Sequence, residues 1–228
     1  MDTNDTKPGY TRLKFFNMNH IHSHIDYMYT TFLSNKLYLE QVLEVVGNSV
    51  IHGPCLSHQD GFFDYDYAIG LHCKKWISQA NKWKHRSRLT WPHNRLMETI
   101  VQYGVLFVPI GCKNSPAEEF EFRISFNVAE KILVHSFSHV QLLCYALLKI
   151  ILNHFIKPHF GKVLCSHFLK TIMFWVSEET EESTWKPQNL LRCFDRCYKR
   201  LVYCVIYSTC LHYFIPELDF FEDRFSKS

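Results

Sequence analysis

Asp64 and Asp66 are separated by a single residue, within Asp64-Tyr-Asp-Tyr-Ala68. On an extended strand two such side chains share a face, which is how one strand offers two carboxylates to a divalent metal. A two-metal phosphoryl-transfer centre requires at least one further acid on a neighbouring strand. The plainer alternative is a solvent-facing acid pair at a strand start. Lys149 stands at the edge of an apolar helical stripe, and Ser166 and Lys170 lie one helical turn apart on one face. If those helices meet over a layer of strands, two ammonium groups and a hydroxyl face a cleft suited to a triphosphate. Snorkelling lysines produce the same pattern, so the spacing itself leaves both readings open.

Lys74, Lys75, Lys82, Lys84, Arg86 and Arg88 are interleaved with Trp76, Trp83 and Trp91. Cations for phosphates and indoles for stacking suit nucleic acid, including a double-stranded partner for the segment from Lys74 to Arg88. The alternative is a solvated positive loop and helix anchored by its tryptophans. A net charge of only +3 favours it. His20, His22 and His24 alternate and are followed by Asp26. On a strand they could hold zinc, but such runs near a chain start are as a rule polar and exposed. Cys193, Cys197 and Cys204 fall on one helical stripe without the close pairing of a zinc knuckle, so burial is expected. There is no Gly-x-Ser-x-Gly elbow, phosphate-binding Gly-Lys-Ser/Thr loop or dinucleotide fingerprint, which argues against hydrolase, P-loop and dehydrogenase classes.

The elements that must position these groups follow from periodicity. A chain of 228 residues with 47% hydrophobic and 16% aromatic content can fill a substantial core. Its nine cysteines are odd in number, scattered, and not preceded by an export segment. They are expected to be reduced thiols in the cytoplasm, a setting compatible with nuclear entry as well. The longest apolar run, Val140 to Ile156, is interrupted by Lys149, Asn153 and His154. A span needs about 20 apolar residues, so a buried helix and no membrane partner are expected.

Leu39, Val42, Leu43 and Val46 repeat at helical spacing and stop at Gly47. Strands are expected at residues 49–52, 65–73, 105–110 and 119–126, with a helix from Pro92 to about Tyr103. Beyond Asn127 the period becomes 3.6, with helices over 140–155, 163–176 and onward from Pro187. The last is expected to carry Leu191, Phe194, Tyr198, Leu201, Val202 and Val205 on its apolar face, and Glu178 to Glu182 to form the preceding loop. Strands followed by helices make the class α+β, with domains at 1–127 and 128–228.

A further set of residues runs in order along the chain. It comprises His52-Gly-Pro-Cys55, Asp66-Tyr-Ala-Ile-Gly-Leu-His-Cys-Lys-Lys-Trp76, Phe107-Val-Pro-Ile-Gly-Cys-Lys113, Phe122-Arg-Ile-Ser-Phe-Asn-Val-Ala-Glu130, Leu164-Cys-Ser-His-Phe-Leu-Lys-Thr171, Asn189-Leu-Leu-Arg-Cys-Phe194 and Tyr213-Phe-Ile-Pro-Glu217. Together they resemble the Mab-twenty-one-like (male-abnormal) family, within the cyclic GMP-AMP synthase-like nucleotidyltransferase superfamily.

The resemblance implies a mixed nucleotidyltransferase sheet, here partial. It further implies an all-helical domain of the helix-hairpin-helix/H2TH-like kind, with a nucleoside triphosphate in the cleft between. Asp66 takes the place of the third metal-binding, catalytic carboxylate, and Arg123 and Ser125 that of the base-facing strand. Lys149 and Lys170 take the place of lysines near the phosphates, and Ser166 that of a serine beside the base. The implied cofactor of an active member is Mg2+ or Mn2+. No zinc is expected, because the zinc-binding insertion is missing between Glu130 and the Val140 helix.

The departures imply a truncated, catalytically incomplete member that binds nucleotide without transferring it. Before Asp60 there is no Gly-Ser turn, and Asp26, Glu40 and Glu44 form no strand pair. His167 stands where a stacking tyrosine is common, and Asn127 where a serine is. The alternatives are a fragment of an active second-messenger synthase of innate immune sensing, and a protein-interaction scaffold.

Overall fold

The computed structural model describes residues 1–3, 5–14, 32–59, 63–161 and 163–222. In chain order these form β1 (Tyr10–Arg12), α1 (Asn35–Val46), β2 (Val50–His52), β3 (Cys55–Gln59), β4 (Asp64–Ala68), β5 (Leu71–Cys73), α2 (Asn81–His85), α3 (Asn94–Tyr103), β6 (Val105–Val108) and β7 (Glu121–Ser125). Helices follow: α4 (Asn127–His135), α5 (His139–Ile151), α6 (Lys157–Phe160), α7 (Ser166–Glu178) and α8 (Leu190–Ile206), with a π-helical stretch, Leu152–Ile156, joining α5 to α6. The class is α+β. His20, His22, His24 and Asp26 lie outside the described residues.

The chain divides into two compact units. The first comprises Met1–Lys74 and Gly104–Phe126. It holds a four-stranded sheet in the order β1-β7-β6-β5 and a three-stranded sheet in the order β2-β3-β4. A mixed sheet is not what these strands make, since every pairing among them is antiparallel. The connections explain part of this: Gly53-Pro54 closes a two-residue hairpin between His52 and Cys55, which only antiparallel strands allow. The single strand expected over residues 65–73 is two. The chain leaves the smaller sheet after Ala68 and enters the larger one at Leu71. Strand β3 has no apolar alternation to mark it, since Ser57 and His58 follow Leu56.

Helix α1 begins where the Ser34 side chain accepts a hydrogen bond from the Leu37 N–H at 3.2 Å, and ends at Gly47 with φ +62°. Glu121, only 1% exposed, organises the turn before β7. Its carboxylate accepts from the Cys112 N–H at 2.8 Å and the Ser115 hydroxyl at 2.7 Å. A buried carboxylate is tolerable because these donors replace its water.

The second unit comprises Lys75–Tyr103 and Asn127–Ser228. Residues 75–103 were expected with the strands; their tryptophans place them with the helices instead. Trp83 is fully buried, 5.0 Å from the Phe214 ring, and Trp91 stacks on Phe174 at 6.2 Å. Helix α7 is buried on nearly every side. Helix α5 packs on α7 and α8 through Val140, Cys144 and Leu148. It starts at a reciprocal cap: Ser138 and Gln141 each satisfy the other's backbone N–H. That cap separates α5 from α4, which the sequence does not mark off from the apolar run after it.

The continuous helix His139–Phe160 has 22 residues and is apolar enough to cross a membrane by length and composition, with 28% of its most apolar window buried. The expectation of a buried helix therefore holds for one stripe only, since Leu142, Ile150, Phe155 and Phe160 face outward. The apolar face expected for α8 is also corrected. Its buried stripe is Cys193, Cys197, Leu201 and Cys204, whereas Leu191 is 82% exposed. Glu178, expected in a loop, is the last residue of α7 and is 4% exposed.

His212 is 7% exposed, and its Nδ1 accepts from the Phe214 and Ile215 N–H groups at 3.1 and 3.0 Å. Burial, reinforced by the charge of nearby His167, pushes its pKa down to about 3. The unfolded chain therefore takes up the proton first. Stability is complete above about pH 6.5 and falls as pH drops toward 3, by at most about 1.4 kcal/mol per pH unit. His212→Asn keeps an acceptor for the two N–H groups without the titration. Urea midpoints measured from pH 7 to pH 4 should fall less steeply in this variant; parallel pH profiles would contradict the assignment.

Candidate functional site

Asp66 projects from the centre of β4, opposite Ser57 on β3. The Ser57 hydroxyl donates to Asp66 Oδ1 at 2.5 Å. Asp66 lines a pocket of about 570 Å3 with Val46, Ser49, His58 and Tyr67, a volume within the range of small-ligand sites. His58 Nδ1 lies 2.6 Å from the Asn48 carbonyl oxygen, so that nitrogen carries the proton. Asp64 shares the strand and its alternation, as expected, and the strand is exposed throughout. Among the described residues no group of three or more His, Cys, Asp or Glu side chains could hold a metal ion.

Arg123 and Ser125 lie on β7, in the other sheet of this unit. The structure does not bring them onto one sheet with Asp66. Arg123 is exposed and sits across from Tyr10 on β1 and Val108 on β6; Ser125, half-buried, sits across from Leu106. The Tyr10 hydroxyl is pushed to higher pKa mainly by burial, with Cys112 adding to the rise and Arg123 opposing it.

Lys149, Ser166 and Lys170 belong to the helical unit. Lys170, on α7, forms an ion pair with Glu130 in the first turn of α4. Lys149 Nζ lies 5.0 Å from the centre of the Tyr145 ring, one turn earlier on α5. Burial raises the Tyr145 hydroxyl pKa, and the Glu130 carboxylate raises it further. The Tyr145 ring carries Lys149, and its hydroxyl lies in the field of the carboxylate that pairs with Lys170. Ser166 is exposed at the first position of α7, one turn before Lys170. His167 packs edge-on against Phe220 with ring centres 4.8 Å apart. Glu130 and Tyr145 were not singled out from the sequence. An acid in the first turn of the apolar segment Asn-Val-Ala-Glu-Lys-Ile-Leu was the available signal for the former.

The basic segment behaves largely as the anchored alternative. Arg86 and Arg88 turn inward to Glu178, and Lys82 pairs with Glu217. Lys74, Lys75, Lys82 and Lys84 are exposed, Lys82 beside the Glu217 carboxylate, so fewer cations face solvent than the six that the spacing suggested.

Residues 141–228 match the family described as Mab-21 protein HhH/H2TH-like domain. The chain is also similar to cyclic GMP-AMP synthase of Mus musculus, 26% identical over 157 residues, covering 60% of this chain and 31% of that protein. It therefore spans about a third of the length of that relative.

Proposed function

We propose, for a chain that belongs to the Mab-21 and cyclic GMP-AMP synthase-like nucleotidyltransferase family, that its helical unit binds a nucleotide through Lys149 and Lys170, and that the chain itself does not transfer a nucleotidyl group. The observations that support binding are Lys149 over the Tyr145 ring and Lys170 paired with Glu130. Two ammonium groups against one carboxylate leave a net positive charge for phosphate oxygens. Glu130 also holds the Lys170 ammonium in place, which lowers the entropy lost when an anion docks. Ser166 adds a hydroxyl on the same face of α7.

Incomplete catalysis is supported by the donor set around Asp66. The divalent metal pair implied by the resemblance needs several carboxylates, whereas Asp66 has a serine hydroxyl and, on its own strand, Asp64. These described residues do not fit a two-metal clamp.

Thermal unfolding with ATP, GTP, CTP and a cyclic dinucleotide tests the proposal. Ligand at a hundredfold excess over Kd stabilises by about 2.7 kcal/mol, and Lys149→Glu with Lys170→Glu should abolish the shift. No shift with any of the ligands would end the binding reading. Linked products from ribonucleoside triphosphates would end the claim of incomplete catalysis. A scaffold reading has its own support in the exposed Leu191, Ile206 and Tyr207 of α8 and its C-terminal end, at 82%, 68% and 65%. A scaffold should keep its protein partners when both lysines are reversed.

A further inference from the structure

Helix α8 ends in a tight turn that brings two cysteines together. Ser208 adopts φ +49°, and the Thr209 N–H returns to the Cys204 carbonyl at 2.9 Å, so Cys210 folds back beside Cys204. Asp219 locks this turn, accepting from the Thr209 hydroxyl at 2.7 Å and the Cys210 N–H at 2.8 Å. The Phe220 N–H donates to the Cys210 carbonyl at 3.0 Å. Both sulfur-bearing residues line a pocket of about 300 Å3 with Trp175, Glu179, Arg200 and Tyr203. They are nearly buried, at 7% and 3% exposure, yet a small reagent has a path to them.

We propose that Cys204 and Cys210 form a reversible disulfide-forming dithiol, a modification site for peroxides. The two thiols share a hydrogen bond. It holds the Cys204 thiol below its ordinary pKa, with Arg200 assisting against burial, and drives the Cys210 thiol up. Cys204 is therefore the attacking group and Cys210 the resolving one. The Cys204 thiolate attacks a peroxide oxygen, forming an S–O bond and breaking the O–O bond; the departing hydroxide takes up a proton to leave as water. The Cys210 sulfur then attacks the sulfenic sulfur, forming the S–S bond and expelling a second water. Two thiols lose two electrons and two protons, and hydrogen peroxide becomes two waters.

A second pair provides an internal comparison. Cys144 and Cys197 share the same kind of thiol hydrogen bond across α5 and α8, but both are completely buried. Proximity without access predicts that this pair resists oxidation.

Both cysteines of the proposed site lie in one tryptic peptide, Leu201 to Arg224, which simplifies the test. The folded protein is titrated with hydrogen peroxide, quenched, unfolded, labelled with maleimide and digested. The Leu201–Arg224 peptide should lose both labelling sites together, become lighter by two hydrogens, and recover with dithiothreitol, while Cys144 and Cys197 still label. In Cys210→Ser, Cys204 should stop as a sulfenic acid that dimedone traps; in Cys204→Ser, Cys210 should stay reduced. The wild-type titration stands even if a variant fails to fold. Cys204 and Cys210 still labelling after Cys55 and Cys73 have been oxidised, or oxidised singly without a link, would overturn the proposal.

Discussion

Glu178→Ala should destabilise the helical unit by about 3–5 kcal/mol, the range for leaving a buried charge without its partner. The carboxylate receives Arg86 Nη2 at 2.9 Å and the Tyr213 hydroxyl at 2.5 Å, with Arg86 Nε at 2.5 Å and Arg88 Nε at 3.3 Å as ion pairs. The three charged side chains are 5%, 20% and 8% exposed, so solvent screens little of the loss. An acid at the C-terminal end of a helix is opposed by the helix dipole. Its position at the end of α7 is favourable only because two guanidinium groups converge there. They are held in turn by ring faces, Arg86 at 4.2 Å from Trp175 and Arg88 at 4.9 Å from Trp83. Removing the carboxylate strands both cations in an aromatic shell. Glu178→Gln keeps an acceptor for Tyr213 and should fall between wild type and Ala. Replacing Glu178, Arg86 and Arg88 together by apolar residues should recover much of the loss, since no charge is then left buried. Urea unfolding of the set decides the matter; a loss under about 1 kcal/mol for Glu178→Ala would mean that water takes over the role of the carboxylate.

Gly104→Ala should destabilise the strand unit by about 3 kcal/mol or more, because two penalties coincide. Gly104 has φ +85°, and a Cβ there would lie 2.0 Å from the Cys73 carbonyl oxygen and 2.9 Å from the Lys74 carbonyl carbon. The φ strain alone is worth roughly 1–3 kcal/mol. The clash adds to it, because Cys73 pairs with Val105 and the only relief is to push β5 off β6. Gly47 separates the two effects, having φ +62° with no atom within 4 Å of the added Cβ. Gly47→Ala should carry the strain penalty only, about 1 kcal/mol. Denaturation midpoints of the two variants give the comparison. Equal losses would show that the strand pair yields and the steric argument fails.

Local rules carried a good part of the fold. The helices over α1, α5, α7 and α8 follow from apolar residues at helical spacing, and the end of α1 from a glycine that can enter positive φ. Strands β2, β6 and β7 stand out as short apolar runs between turn residues. The burial of Cys193, Cys197 and Cys204 followed from one stripe. The cap that separates α4 from α5 was also legible, since Ser138 and Gln141 have the required spacing, although the apolar run around them obscured it.

The candidate site was legible only as residue types. Lys149, Ser166 and Lys170 can be read from helical spacing, but their meaning depends on Glu130 and Tyr145, which the fold brings to them. Asp66 can be read from a strand. That it lies in a different sheet from Arg123 cannot, because the split at Ile69-Gly70 leaves no change of period.

What this sequence determined by itself was therefore local: element type, several element ends, and the order of strands before helices, all set by neighbours within a few residues. The tertiary structure alone decided which of two overlapping stripes α8 buries, that residues 75–103 join the helices, and that Glu178 is a buried counter-ion rather than a loop acid. The physical reason is distance along the chain. Arg86 meets Glu178 across 92 residues, and the attraction between charges so far apart in sequence has no periodic signature until packing excludes water from around both.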